Sequence, residues 1–192
     1  MEVHKNIPLY YFKKQKDFST WLHKNCQQEE SIWLRFAKKS SLEVSLSYEE
    51  AREVAITYGW IDGLKNSFDE DFYLLKFSPR RKKSLWSKIN RDIATKLIDE
   101  KKMKPQGLSE VDRAKIDGRW QAAYDSPKNM KVPEWFVDVV KKDRKAFAEY
   151  QKLKKSELYS IAFHLHNAKK EATKKRHADK YLHLLSRGEK IS

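Results

Sequence analysis

The residues best placed for chemistry are four consecutive cations, Arg80 to Lys83, in the segment SPRRKKSLWSKIN. They follow a predicted strand that Pro79 ends, and they precede a predicted helix for which Ser84 is the expected N-cap. Anions favour such a position because the first N–H groups of a helix are free and the positive end of its dipole lies there. Trp86 offers a surface for stacking, and Lys88 offers a phosphate contact. The predicted anion or nucleic-acid site comprises Arg80, Arg81, Lys82, Lys83, Trp86, Lys88 and Arg91.

The positive charge of the chain is concentrated in two segments. The 192 residues contain 41 Lys and Arg against 27 Asp and Glu, which gives a net charge of +14. Residues 76–104 carry 11 cations and 3 anions, and residues 169–192 carry 8 cations and 3 anions. Residues 1–63 carry equal numbers of cations and anions and so have no net charge. This segregation favours a polyanionic partner, such as nucleic acid or an anionic membrane surface. The second segment predicts a further basic patch at Lys169, Lys174, Lys175 and Arg176.

A structural interpretation stands beside this functional one. Arg80 to Lys83 also suit a solvated loop that only keeps the protein soluble, with Trp86 in the core. The composition alone does not separate the two interpretations.

The acidic residues near the cations form no recognisable catalytic pattern. A nuclease of the PD-(D/E)xK type requires an acidic residue two positions before Lys76, and that position is Leu74. The GWIDG segment predicts a turn formed by Gly59, Trp60, Asp62 and Gly63, with the chain reversing at Gly63. Asp62 is expected to cap this turn or to form a salt bridge rather than to act as a base. We therefore predict no catalytic residue and a binding protein rather than an enzyme.

Neither a metal site nor a cofactor site is predicted. His164 and His166 point in different directions on a helix, and His177 and His183 are six residues apart, so neither pair has the spacing of shared metal ligands. Glycine-rich phosphate loops and other cofactor motifs are missing from the sequence. Cys26 is the only cysteine, which excludes an internal disulfide and fits a reducing compartment.

The periodicity of apolar residues predicts an α+β fold. Alternation predicts strands at residues 7–12, 31–37 and 72–77, with a hairpin arm at 64–68 and its turn at 69–71. Helical spacing predicts helices at residues 16–25, 85–103 and 109–120, and a further helix that begins with the capping box of Ser47 and Glu50 and ends at Gly59. Beyond a linker at residues 122–131, helices are expected to start near Pro133, at Asp143 and Ser156, and at residue 171.

These elements predict two regions. Residues 1–125 form an α+β domain with a small, mostly antiparallel sheet packed by helices, and residues 130–192 form a helical C-terminal region. No apolar stretch approaches the length of a membrane span, and the first residues do not resemble a signal peptide, so a cytoplasmic location is expected.

Several motifs together resemble the YdeI/OmpD-associated family, also called bacteriocin-protection proteins. They are WL at Trp33, GWIDG, FSPRRKKSLWSKIN and MKPQG in the first region, and VP followed later by AKKEAT in the second. The family tends to have arginine where this chain has Lys174 and His177. The resemblance implies a link to antimicrobial-peptide or stress resistance, and it implies no established catalytic activity.

Three functions are compatible with these observations. The first is binding of a polyanion, such as nucleic acid, by the face that contains Arg80 to Arg91. The second is interaction with a protein partner in stress or antimicrobial-peptide resistance, with Trp60, Trp120 and Trp135 as anchors. The third is an enzyme that holds an anionic small molecule between the GWIDG segment and the arginines.

Overall fold

The computed structural model describes residues 2–126 and 128–191 and shows the α+β fold that the sequence predicts. The described residues form a five-stranded mixed sheet and eight helices. The strands are β1 (Val3–His4), β2 (Ile7–Tyr10), β3 (Ile32–Ala37), β4 (Trp60–Ser67) and β5 (Phe72–Pro79). The helices are α1 (Gln15–Asn25), α2 (Tyr48–Thr57), α3 (Lys88–Asp99), α4 (Pro105–Ile116), α5 (Glu134–Lys141), α6 (Arg144–Tyr150), α7 (Lys155–Asn167) and α8 (Glu171–Arg187).

The sheet has the strand order β1-β2-β3-β5-β4, and only the β2–β3 pair among these is parallel. The predicted hairpin turn is confirmed, because the Asp69 carboxylate accepts hydrogen bonds from the N–H groups of Asp71 and Phe72 at 2.9 and 2.7 Å. The predicted reversal at Gly63 is wrong. Gly63 lies inside β4, where the pairing register with β5 shifts between Asp62 and Lys65.

Helices α1 and α2 cover one face of the sheet. Phe18 and Leu22 are four residues apart on α1 and are fully buried, because that spacing places them on one side of the helix. The predicted capping box starts α2: the Ser47 hydroxyl accepts from the Glu50 N–H at 3.2 Å, and the Glu50 carboxylate accepts from the Ser47 N–H at 2.7 Å.

Helix α3 begins later than predicted, and Ser84 is not its N-cap. The Ser84 hydroxyl accepts from the Arg81 N–H at 2.9 Å, and the Ser84 N–H donates to the Arg81 carbonyl at 2.9 Å. These two bonds close a turn, so the hydroxyl is already used when the helix starts at Lys88. Helix α3 also ends at Asp99, four residues before the predicted end.

The described residues divide into two compact units. The N-terminal unit contains the residues up to Trp86 and Asn90–Ala122, and the C-terminal unit contains Ser87–Ile89 and the residues from Ala123 onward. Helices α5 to α8 of the C-terminal unit enclose their own core around Phe136, Ile161 and Tyr181. Two of the predicted helix starts are shifted slightly, since α5 begins one residue after Pro133 and α7 begins one residue before Ser156.

No helix in residues 2–126 and 128–191 combines the length and the apolar character that crossing a membrane requires.

Candidate functional site

The most prominent basic feature of the N-terminal unit is a tight turn, Arg81 to Ser84, which we call the basic turn. Arg81, Lys82 and Lys83 are all exposed. None of the three side chains pairs with a carboxylate of a described residue. The two hydrogen bonds between Arg81 and Ser84 fix the backbone, so the three cations are presented at a defined place.

Arg80 and Trp86 lie beneath this turn rather than on the surface. Only 5% of Arg80 and 1% of Trp86 are exposed. The guanidinium carbon of Arg80 lies 3.6 Å from the centroid of the Trp86 ring, and Arg80 donates to the Leu85 carbonyl at 3.2 Å. Trp86 packs edge-on against Trp120 with 5.0 Å between ring centroids. Trp86 therefore offers no free face for a base, and Arg80 faces the protein instead of the solvent.

A second buried arginine, Arg119, supports the same loop and was missed by the sequence analysis. It is 5% exposed, and it donates to the Ser84 carbonyl at 2.6 Å and to both oxygens of the Asp117 carboxylate at 2.8 and 2.7 Å. Its Nη2 atom is buried with no partner among the described residues. No local pattern distinguishes Arg119 in the sequence, because its role depends on a loop 35 residues earlier in the chain.

The two remaining predicted members of the site carry compensated charges. The ammonium group of Lys88 lies 2.5 Å from the Asp125 carboxylate. Arg91 is half-buried, and its Nε atom lies 3.5 Å from the Asp92 carboxylate. Among the seven predicted residues, Arg81, Lys82 and Lys83 are therefore the ones that are exposed and have no carboxylate partner among the described residues.

The GWIDG residues serve packing and hydrogen bonding. Trp60 is buried, and its indole N–H donates to the Cys26 carbonyl at 3.1 Å. Asp62 accepts a hydrogen bond from the Tyr48 hydroxyl at 2.9 Å. Burial first, and the Asp62 carboxylate second, raise the pKa of Tyr48 to about 12. Asp62 is therefore a hydrogen-bonded carboxylate, consistent with a structural role.

Two glycines allow α4 to approach α2 closely. Gly59 has a φ of +77°, and a Cβ atom there would lie 2.9 Å from the Gln106 carbonyl oxygen. At Gly107 a Cβ atom would lie 2.4 Å from the carbonyl oxygen of Thr57. The close approach places the N-terminus of α4 directly against the C-terminal end of α2.

The second predicted basic patch lies in the C-terminal unit around the start of α8. Lys169, Lys175 and Arg176 are exposed. Lys174 lies 3.4 Å from the Glu171 carboxylate, and its ammonium group lies 5.8 Å from the centroid of the Trp135 ring. The charge of Lys174 is therefore partly compensated.

Of the three predicted aromatic anchors, Trp135 is the most exposed, at 41%. It borders a cavity of about 510 Å³ that α5 and α8 line with Val139, Ala178 and Leu182. Trp60 is buried and Trp120 is half-buried, so these two offer less surface to a partner.

These features define an α+β unit with a firmly supported basic turn, together with a helical unit that exposes one tryptophan. Residues 10–110 match the family model described as Domain of unknown function (DUF8412), which covers more than half of the 192 residues. Residues 129–188 match the family model described as Bacteriocin-protection, YdeI or OmpD-Associated. The chain therefore belongs to the family described as Domain of unknown function (DUF8412). The predicted resemblance to the YdeI/OmpD-associated family is confirmed for residues 129–188.

The two matches divide the motifs that carried the resemblance. GWIDG and SPRRKKSLWSKIN lie within the DUF8412 match, and AKKEAT lies within the YdeI/OmpD-associated match. No curated protein and no solved structure matches the chain.

Proposed function

We propose that the protein binds a polyanion, such as nucleic acid, through the basic turn of its N-terminal unit. The observation that carries this proposal is the set of three exposed, unpaired cations at Arg81, Lys82 and Lys83, held on a loop that two buried arginines support. Phosphate backbones are recognised by such cations, because binding releases condensed counterions.

The hydrogen bonds that order the loop favour binding in addition to its charge. Arg80 bonds to the Leu85 carbonyl, Arg119 bonds to the Ser84 carbonyl, and the Arg80 N–H donates to the Gly59 carbonyl at 3.0 Å. A loop that is already ordered loses little conformational entropy on binding, so more of the electrostatic attraction contributes to affinity.

The contacts are expected to be with the backbone and not with bases. Trp86, the aromatic residue nearest to the cations, is buried beneath the turn and cannot stack on a base. We therefore expect strong dependence on salt and weak dependence on sequence.

The test is fluorescence anisotropy with short duplex and single-stranded DNA and RNA, each titrated at several salt concentrations. The variant removes all three cations: Arg81→Ala, Lys82→Ala and Lys83→Ala. On duplex DNA the slope of log K against log salt should become shallower by up to about 2.7, since each phosphate contact contributes about 0.9. A matched control removes three exposed cations of the C-terminal unit: Lys142→Ala, Arg144→Ala and Lys145→Ala.

Two results would refute the proposal. Binding that is absent or insensitive to salt would leave the basic turn without a polyanion to recognise. Equal losses in the variant and its control would mean that only net charge matters.

A second candidate function, binding of a protein partner, is favoured by Trp135 in the C-terminal unit. An exposed tryptophan beside an apolar cavity is the kind of residue that dominates binding energy at protein interfaces. A protein partner that binds the wild-type protein should not bind the variant Trp135→Ala. It should be kept by Leu42→Ala, which removes another exposed apolar side chain, in the N-terminal unit. Equal retention by both variants excludes Trp135 as the anchor.

A further inference from the structure

A cavity of about 480 Å³ in the N-terminal unit is lined by four lysines from two separate segments of the chain. Its walls come from α1, α2, the end of α3 and the connector to α4: Gln15, Lys16, Ser19, Glu53, Val54, Thr57, Leu97, Lys101, Lys102 and Lys104. We propose that this lysine cavity binds a small hydroxylated organic phosphate. The inference does not depend on polyanion binding by the basic turn, because the two sites share no residue.

Charge is the first argument. Lys16, Lys101 and Lys104 form no ion pair with a described residue, whereas the ammonium group of Lys102 lies 2.7 Å from the Glu100 carboxylate. Glu53 is the only carboxylate of the lining, so the cavity keeps an excess of positive charge. Lysine ammonium groups serve as point charges for phosphate in many binding sites.

The backbone of Lys101 is the second argument. Helix α3 ends in a Schellman arrangement, in which the Lys101 N–H donates to the Ile98 carbonyl and the Lys102 N–H donates to the Leu97 carbonyl, both at 2.9 Å. Lys101 occupies the left-handed position of this motif with a φ of +56°, where glycine is the favoured residue. A lysine here costs conformational energy that a glycine would not, and strained backbone positions of this kind cluster at functional sites.

The connector between α3 and α4 is tied to the C-terminal end of α2. The Lys104 N–H donates to the Thr57 carbonyl at 3.1 Å, which ties the connector to the end of α2. Gly107 permits this contact, since any larger residue would meet the same carbonyl. The backbone that carries Lys104 is therefore ordered before a ligand arrives, which lowers the entropy cost of binding.

The remaining lining residues indicate the class of ligand. The first residues of α1, Gln15 and Lys16, contribute the positive end of a helix of 11 residues, which favours an anion. Glu53 has no hydrogen-bond partner for its carboxylate among the described residues, and a carboxylate accepts hydrogen bonds from hydroxyl groups. Val54 and Leu97 add a small apolar surface. The volume is in the range of small-molecule sites, so a phosphorylated sugar is accommodated.

The test uses the full, ¹⁵N-labelled chain and three probes: ribose 5-phosphate, ribose and inorganic phosphate. Amide resonances are followed by NMR as each probe is added. Ribose 5-phosphate should shift the amides of Ser19, Thr57 and Lys104 in a saturable manner. Inorganic phosphate should bind more weakly, and ribose should produce no saturable shifts.

Two variants test the lysines. Lys101→Gly should weaken ribose 5-phosphate about tenfold, as expected for the loss of one charge-assisted contact. Its stability should be unchanged or higher, because glycine suits the left-handed position, so a binding loss cannot be attributed to misfolding. Lys104→Ala should weaken binding to a similar extent. Lys39→Ala, which removes an exposed lysine outside the cavity, is the matched control and should bind normally.

Glu53→Ala tests the recognition of hydroxyl groups. The variant should bind inorganic phosphate more tightly, because a negative charge is removed, and it should lose the preference for ribose 5-phosphate. The proposal is overturned if Lys101→Gly binds like the wild-type protein, if the shifts spread equally to amides beside exposed lysines such as Lys39, or if inorganic phosphate binds the wild-type protein as tightly as ribose 5-phosphate.

Discussion

Replacement of Gly107 by alanine tests whether α4 packs against α2 as closely as the structure shows. A Cβ atom at this position would lie 2.4 Å from the Thr57 carbonyl oxygen and 2.8 Å from the Ile56 carbonyl oxygen. Both are backbone atoms, which cannot swing aside as a flexible side chain does. Helix α4 must therefore move by at least 0.6 Å to bring the shorter distance to 3.0 Å, below which real Cβ contacts essentially do not occur.

The expected change in the free energy of unfolding combines one stabilising effect and two destabilising effects. Alanine gains about 1 kcal/mol over glycine in helix propensity. Overpacking against fixed atoms costs about 2 kcal/mol. Weakening the hydrogen bond from the Lys104 N–H to the Thr57 carbonyl costs about 1 kcal/mol more. The expected outcome is that Gly107→Ala lowers the free energy of unfolding by about 2 kcal/mol, although the helix propensity alone predicts a gain.

Urea-induced unfolding followed by tryptophan fluorescence measures this effect, because five of the six tryptophans belong to the N-terminal unit. The matched control is Gly63→Ala, whose added Cβ would lie at an ordinary contact distance of 3.6 Å from the Lys76 carbonyl oxygen. That variant should be as stable as the wild-type protein or more stable. If Gly107→Ala were equally stable, the close contact between α4 and α2 would be refuted.

Two further predictions concern buried cations and pH. Arg80→Lys keeps the charge but loses the planar group that lies 3.6 Å from the Trp86 ring centroid, and it loses the bond to the Leu85 carbonyl. The free energy of unfolding measured in urea should therefore fall by about 2 kcal/mol. Wild-type stability would contradict the role of Arg80 in supporting the basic turn. Burial, together with the charges of His164, Arg176 and Lys180, lowers the pKa of His177 below its ordinary value of 6.5. Below pH 6.5 the unfolded chain then binds more protons than the folded chain, so the melting temperature of the C-terminal unit should fall as pH drops. Circular dichroism of His177→Gln between pH 7.5 and 5 should show a melting temperature that depends less on pH. An unchanged pH dependence would mean that His177 is not the group responsible.

Features that depend on a few neighbouring residues were predictable from the sequence. The capping box of Ser47 and Glu50, the turn at Asp69 and the left-handed Gly59 all formed as expected. Their partners lie within a few residues, so local chemistry decides them. The alternation of apolar residues in β3 and β5 likewise predicted the α+β fold.

The exposure and the partners of individual residues in the basic segment depend on tertiary contacts. Arg80 and Arg81 are neighbours of the same type, yet Arg80 is buried against Trp86 whereas Arg81 is exposed. The Ser84 hydroxyl closes a turn instead of capping a helix, and Arg119 holds the carbonyl of the same residue from 35 positions away.

The lysine cavity also depends on packing between distant segments of the chain. Lys16 and Lys104 are remote in the chain, and they line one cavity because α4 packs against the end of α2 at Gly107. The sequence determined where positive charge is concentrated and which segments are helices or strands. The tertiary structure decided which cations face solvent, support a loop or share a cavity, because that depends on packing between distant segments.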